Sequence, residues 1–205
     1  MVPPSEGCVP TDPECGRTAV DGCDVLTQDV VSLPGGAWPL GIAICADNRV
    51  LDCGGATLTG SYNGNGIMAS NVTSVTILNC HVQEYATGLN LSNVSAATVT
   101  GNTFESNQFG AFLRGSIGNA LFANAFMGNI VAALEVEGSV NNSWNLSMSG
   151  NSWSDFGNNF GFPWRYVVPI ADGVDWWPTG KCADLDNDIY SAVPNTNCPH
   201  APVLD

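Results

Sequence analysis

Three aspartates alternate near the end of the chain, at Asp184, Asp186 and Asp188. Side-chain and main-chain oxygens on a curled loop are the ligands that Ca²⁺ prefers. The segment lacks the glycine that usually follows the third acidic ligand, and no glutamate closes the loop. The spacing predicts a calcium site at these residues, and a hydrated acidic loop without an ion is the alternative.

Carboxylates suited to acid–base catalysis are few in the middle of the chain. Hydrolysis of a glycosidic bond needs two carboxyl groups that flank the bond. Between Gly54 and Gly150 the carboxylates are Glu84, Glu105, Glu135 and Glu137. Glu84 and Glu105 fall on neighbouring sequence repeats, which makes them the candidate pair, although no dyad motif surrounds them.

Basic side chains that could serve a polysaccharide lyase are equally few. The same stretch contains only His81 and Arg114. The repeat places Arg114 beside Glu137, which predicts an ion pair worth about 0–1 kcal/mol if exposed. Neither His81 nor His200 has a cluster of ligands suited to copper. These residues favour a non-catalytic protein over an enzyme.

The cysteine pattern predicts disulfides. The cysteines are Cys8, Cys15, Cys23, Cys45, Cys53, Cys80, Cys182 and Cys198. Their number is even, and no pair has the Cys-x-x-Cys spacing of zinc or redox sites. Disulfides are typical of proteins outside the cytoplasm, so this usage indicates an extracellular or cell-surface protein.

The charge balance limits the partners. Nineteen acidic residues oppose five basic ones, for a formal net charge of −14. Nucleic acids and anionic membranes need clustered Lys and Arg, so neither is an expected partner. No apolar run reaches the ~20 residues of a membrane span. Further copies of the chain and glycans remain as candidate partners.

Five Asn-x-Ser/Thr sequons are predicted glycosylation sites of a surface protein. They begin at Asn71, Asn90, Asn93, Asn141 and Asn145. Residues 1–5 do not form a signal peptide, which is expected of a mature or shortened form of an exported protein.

The elements that position these residues repeat every 22 residues, as Gly66, Gly88 and Gly110 show. Three columns recur in this frame: 67–69, 89–91, 111–113 and, after one inserted residue, 134–136; 75–77, 97–99, 119–121 and, loosely, 146–148; and Val82, Phe104, Phe126 and Trp153. Asn102 and Asn124 mark one turn, where stacked asparagines can bond along the ladder. Such a period, with about three strands per repeat, predicts a parallel β-solenoid.

This register separates core from surface. Leu91, Leu113 and Val136 are expected in one buried column. The middle residues of the same strands point outward, so Asn90, Phe112 and Glu135 form a candidate contact surface for a sugar ring or a partner subunit.

Three regions differ in composition: a Cys- and Pro-rich segment at 1–22, the β-helix at 23–156, and an aromatic-rich cap with the Asp-rich tail at 157–205. The open ends of a solenoid expose unpaired backbone, so the flanks are expected to cover them. The predicted fold is an all-β, right-handed parallel β-helix of about five to six coils with irregular, disulfide-stapled ends.

Several segments resemble the NosD-like, or CASH-domain, parallel β-helix proteins. They are GIAICADNRVLDCGGATLTG at 41–60, VTILNC at 75–80, GNSWSDF at 150–156 and DGVDWWP at 172–178. The resemblance, with proximity along the chain, implies the disulfides Cys23–Cys45 and Cys53–Cys80; Cys182–Cys198 would close the acidic tail and Cys8–Cys15 remains. The tail at 182–190 is similar to short calcium modules of extracellular proteins, which implies Ca²⁺ as a cofactor.

The resemblance implies a fold more than a task, because such domains serve in copper-site maturation, carbohydrate processing and surface proteins. Together with the sparse catalytic groups, it predicts a non-catalytic extracellular or cell-surface protein. Its role would be that of a surface-layer, filament or matrix component, or of a glycan-binding module. A polysaccharide lyase or glycoside hydrolase on the same scaffold is the alternative.

Overall fold

The structure is a computed structural model that describes residues 24–26, 36–37, 41–162, 164–169 and 173–179. Within these residues the chain forms short β-strands, numbered β1 to β18 in chain order, and a 3-10 helix at Phe156–Asn158. Most strands have only two or three residues, because glycine and asparagine turns interrupt the β-branched runs. No helix of this part of the chain is long and apolar enough to cross a membrane.

Three parallel sheets contain the first sixteen strands. Sheet A consists of β1 (Asp24–Leu26), β3 (Ile42–Ile44), β6 (Asn65–Ser70), β9 (Thr87–Ser92), β12 (Phe109–Arg114) and β15 (Val131–Val136). Sheet B consists of β4 (Val50–Asp52), β7 (Thr76–Leu78), β10 (Thr98–Thr100) and β13 (Ala120–Phe122). Sheet C consists of β2 (Gly36–Ala37), β5 (Thr57–Thr59), β8 (His81–Gln83), β11 (Thr103–Glu105), β14 (Ala125–Met127) and β16 (Ser152–Trp153).

The chain visits sheets A, B and C in turn, so each coil contributes one strand to each sheet. Among the described residues four coils are complete, from β3–β5 to β12–β14, and an incomplete coil precedes and follows them. The predicted parallel β-solenoid is therefore confirmed. The disulfide Cys53–Cys80 joins two neighbouring coils, as the resemblance implied.

Aromatic side chains form a continuous ladder inside the solenoid. Phe104, Phe126 and Trp153 pair in register on sheet C, as the third column predicted. The ring centroids are 5.3 Å apart for the first pair and 4.5 Å for the second. Such stacking adds about 0.5–1.5 kcal/mol per pair to the free energy of burial, so this ladder ties the coils together.

Buried asparagines form a second ladder where sheet B passes into sheet C. The main-chain N–H of Cys80 donates to Oδ1 of Asn102, at 3.0 Å. The Asn102 N–H donates to Asn124 Oδ1 at 3.1 Å, and the Asn124 N–H donates to Asn151 Oδ1 at 3.0 Å. Each asparagine thus satisfies a main-chain donor that the turn would otherwise leave unpaired.

The register of the last strand in sheet A differs from the prediction. Leu113 pairs with Glu135, and Phe112 pairs with Leu134, so the 22-residue spacing continues unchanged through β15. Glu135 is therefore buried and Val136 is partly exposed, and the expected burial of Val136 with Leu91 and Leu113 is wrong. The inserted residue lies in the following turn, because Ile117 pairs with Val140, 23 residues on.

The last coil also continues sheet B differently from the prediction. Ala120 pairs with Ser143, and the next residue, Trp144, is fully buried. The expected strand at 146–148 does not continue the column, since Leu146 and Met148 are exposed. In this register Trp144 lies one coil beyond Leu121, and its large indole fills that position of the interior.

A small cap covers the C-terminal end of the solenoid. The antiparallel strands β17 (Tyr166–Val167) and β18 (Val174–Asp175) lie over it, and Tyr166 stacks on Trp153 with ring centroids 3.9 Å apart. Asp175 is buried and accepts hydrogen bonds from the Asn151 N–H at 2.7 Å and the Trp153 indole at 2.9 Å. The cap therefore ends both the aromatic and the asparagine ladders.

Candidate functional site

The outward side chains of β9, β12 and β15 in sheet A form a face that contains no carboxylate. In β9, β12 and β15 the first, fourth and sixth residues point outward, and the residues between them are buried. We call this set the A face: Thr87, Asn90, Ser92, Phe109, Phe112, Arg114, Val131, Leu134 and Val136. Because the strands are in register, these side chains form three straight columns about 4.8 Å apart from coil to coil.

Two phenylalanines stand at the centre of the A face. Phe109 and Phe112 are partly exposed and meet edge to face, with ring centroids 5.9 Å apart. The guanidinium of Arg114 lies 5.9 Å from the centre of the Phe112 ring and pairs with Glu137 at 3.2 Å. These contacts hold the rings in place, and they confirm the predicted Arg114–Glu137 ion pair.

Polar side chains adjoin the two rings on the preceding coil. Asn90 pairs with Phe112 and Thr87 pairs with Phe109 in the strand register. Asn90 Nδ2 donates to Asn65 Oδ1 at 3.1 Å. Within the described residues the side-chain oxygens of Thr87, Asn90 and Ser92 accept no hydrogen bond, so they are available to hydroxyl donors of a ligand.

The structure corrects the expected composition of this surface. Asn90 and Phe112 lie side by side on it, but Glu135 points into the solenoid and Leu134 takes its place. The buried carboxylate of Glu135 accepts hydrogen bonds from the Trp144 indole and, at 3.4 Å, from Asn142. Phe109 was missed, although the 22-residue spacing from Thr87 to Phe109 to Val131 is visible in the sequence.

The candidate catalytic carboxylates lie on neighbouring coils, because Glu105 pairs in the register with Gln83, the residue before Glu84. Glu105 hydrogen-bonds to His81, with 2.7 Å between its Oε2 and the ring Nε2, and no hydrogen bond joins it to Glu84. The other ring nitrogen of His81 lies 3.4 Å from the Thr57 hydroxyl. An acid–base role of Glu84 and Glu105 as a pair therefore stays a prediction.

Several predicted sites fall wholly or partly outside the described residues. Asp184, Asp186 and Asp188 lie outside the described residues, so calcium binding there stays a prediction. Cys45 is disulfide-bonded, but Cys23 lies outside, as do Cys8, Cys15, Cys182 and Cys198, and these pairings stay predictions.

The sequons are described in full and differ in access. Asn71, Asn93 and Asn141 are exposed and Asn145 is partly exposed. Asn93 donates to Asn71 at 3.1 Å across neighbouring coils. Asn90 is partly buried within the A face, where its amide is engaged. Glycosylation at these five positions stays a prediction.

Comparison with known protein families shows which family the chain resembles. Residues 40–158, more than half of the chain, match the model of a family described as periplasmic copper-binding protein (NosD). Searches of curated proteins and of solved structures gave no match.

The described residues do not fit a copper site. In this part of the chain no three side chains of His, Cys, Asp or Glu come together. His81 and Glu105 supply two ligand atoms, and Cys45, Cys53 and Cys80 are consumed in disulfides. Copper sites in proteins usually combine several imidazole or sulfur ligands, so no copper chemistry is assigned to these residues.

Proposed function

The chain belongs to the NosD family of parallel β-helix proteins, and on that premise we propose that it is a non-catalytic binding module outside the cytoplasm that holds a neutral glycan on the A face. The observation that carries the proposal is the Phe109–Phe112 pair beside the free oxygens of Thr87 and Asn90. Aromatic rings pack against the C–H face of a sugar, and neighbouring polar atoms take its hydroxyls.

The charges of the A face favour a neutral ligand. Its only ionic side chain is Arg114, which is already paired with Glu137. The whole chain has a formal net charge of −14, which repels acidic polysaccharides and nucleic acids. A neutral sugar avoids that repulsion and needs no cation to bind.

The scaffold supports a structural role for such binding. The coils are tied by parallel ladders, by the Cys53–Cys80 disulfide and by the aromatic stack. A rigid, preorganised face loses little conformational entropy on binding. A module of this kind suits a matrix or surface layer in which glycan chains are held without being cut.

The test is binding to a panel of neutral glucans, mannans, xylans and galactans, measured by affinity electrophoresis and calorimetry. Phe112→Ala removes the central ring, and Phe122→Ala removes a partly exposed ring on the outer side of sheet B as a matched control. Stacking worth about 0.5–1.5 kcal/mol predicts a roughly two- to tenfold loss of affinity for Phe112→Ala and none for Phe122→Ala.

Two results would contradict the proposal. One is equal affinity of the wild type and Phe112→Ala for every glycan that binds. The other is release of reducing ends or unsaturated sugars by the wild type, abolished in Glu105→Gln, which would establish the enzymatic alternative.

A further inference from the structure

A groove of about 390 Å³ follows the corner where the chain passes from sheet B to sheet C. Its floor consists of small residues on three successive coils, Gly101, Ala123 and Gly150. The Gly101 N–H donates to the Ala123 carbonyl, and the Ala123 N–H donates to the Gly150 carbonyl. Coils lie about 4.8 Å apart, so the floor is roughly 10 Å long.

Outward residues of sheet C form one wall of this corner groove. They are Thr103, Ala125 and Ser152, which stand in one column of the parallel register. The same column continues one coil earlier to His81 and its partner Glu105. The groove therefore opens toward a polar, partly exposed pair at its N-terminal end.

The cap closes the other end of the groove. The Thr179 N–H donates to the Asn151 carbonyl at 2.8 Å. Gly150 lies so close to the cap that a Cβ there would be 2.1 Å from the Trp177 carbonyl oxygen. Since any side chain at position 150 would clash, glycine there both admits the cap and keeps the floor low.

The lining is polar and uncharged. Within the described residues the hydroxyls of Thr103, Ser149, Ser152 and Thr179 have no hydrogen-bond partner. The main-chain N–H groups of Gly101 and Ala123 are already engaged in the ladder. A peptide strand would thus find few main-chain donors, whereas a ligand rich in hydroxyls meets a row of donors and acceptors.

We propose that this corner groove is a second site for a neutral glycan chain, so that one copy of the protein holds two chains at once. The inference rests on the proposed function and extends it, because the groove and the A face belong to different sheets. Two sites on one rigid body cross-link long polysaccharides, and their linkage raises the avidity for a network of chains.

The test separates the two sites with single substitutions. Ala125→Arg places a long charged side chain into the groove, and Ala120→Arg makes the same change at a partly exposed position on sheet B. Thermal unfolding of each variant shows whether the fold is retained. Phe112→Ala serves as the variant of the A face.

Two readouts use a neutral glycan that the wild type binds in the panel. Calorimetry with a short oligosaccharide gives the number of sites, and light scattering with the long polysaccharide detects cross-linking by monomeric protein. We expect two sites and increased scattering for the wild type and Ala120→Arg. Ala125→Arg should keep one site and lose the scattering.

The outcomes distinguish failure of this inference from failure of the proposed function. A single site that Phe112→Ala weakens and Ala125→Arg leaves unchanged would overturn the groove and keep the A face. If Ala125→Arg lost all binding while Phe112→Ala kept it, the groove would be supported as a binding site and the A face would be overturned. Absence of binding by the wild type to every neutral glycan would overturn both.

Discussion

Replacing Asn124 with alanine tests whether the buried asparagines hold the coils together. Asn124 is 2% exposed. Its Oδ1 accepts the main-chain and side-chain N–H groups of Asn102, at 3.1 and 3.0 Å. Its Nδ2 donates to the Val99 carbonyl at 2.9 Å and to the Phe122 carbonyl at 3.1 Å. The side chain thus bonds to the coil before it and to its own turn.

The cost follows from the groups that lose a partner. Alanine leaves the Asn102 N–H and the Val99 carbonyl without the side chain that bonds to them. A buried polar group that loses its partner costs about 1–3 kcal/mol, so two give about 2–6 kcal/mol. The Asn102 amide still reaches the Ile77 carbonyl at 3.0 Å, so it adds little. A water in the vacated space would place the loss at the lower end of this range.

The assay is equilibrium unfolding in urea with the disulfides intact. Asn124→Ala should lower the midpoint and leave the slope unchanged. Asn63→Ala, at an exposed turn position, is the control and should change the free energy of unfolding by less than about 0.5 kcal/mol. If the two variants were equally stable, the asparagine ladder would not contribute to holding the coils.

Three further changes probe the core, the surface and the cap. Leu113→Ala removes a fully buried side chain and should cost about 2–5 kcal/mol in urea unfolding; an unchanged midpoint would contradict the register. Arg114→Met breaks an ion pair whose side chains are 53% and 69% exposed, so the free energy of unfolding should fall by less than about 1 kcal/mol. A loss several times larger would contradict the exposed position of this pair. Burial raises the pKa of Asp175 above its ordinary value, against the opposing hydrogen bonds from Asn151 and Trp153, so the native state binds its proton at a higher pH than the unfolded chain does. The stability of the wild type relative to Asp175→Asn should therefore rise as the pH falls through the folded pKa toward about 4, where the unfolded carboxyl titrates; a difference that is flat or falls would refute this sign.

The coil architecture could be predicted because each repeat meets the same physical constraint. Gly66, Gly88 and Gly110 recur where neighbouring backbones approach closely, and a Cβ on Gly66 would lie 2.2 Å from a methyl carbon of Val82. Inward positions alternate with outward ones, so short apolar runs at a fixed spacing determine which residues stack. The 22-residue repeat therefore predicts the strand register of three coils from the sequence alone.

The last coil could not be predicted in the same way. Hydrophobicity favours Val136 inside and Glu135 outside, but the strand ladder keeps its spacing, and the inserted residue lies in the turn at Glu137 and Gly138, where φ is positive. Burial of Glu135 depends on hydrogen bonds from the Asn142 amide and the Trp144 indole, which follow it by seven and nine residues in the chain. A column alignment contains no sign of those donors, although they are what makes the buried carboxylate tolerable.

The candidate site was predictable only in part. Strand alternation places Asn90 and Phe112 outside from sequence alone. The structure adds Phe109, because β9 and β12 are six residues long rather than three. The corner groove needs three stacked coils and a cap that folds back at Trp177 and Thr179. Contacts of that kind join distant parts of the chain and have no local sequence signal.

The most direct test of the account is backbone NMR of the 21.4 kDa protein during titration with a neutral glycan that it binds. The account predicts that the largest chemical-shift changes fall on the A face, at Thr87, Asn90, Phe109 and Phe112. Amides of sheet B away from the corner groove, such as those of Thr76 and Thr98, should stay unchanged. Shifts concentrated on sheet B, with none at Phe109 and Phe112, would contradict it.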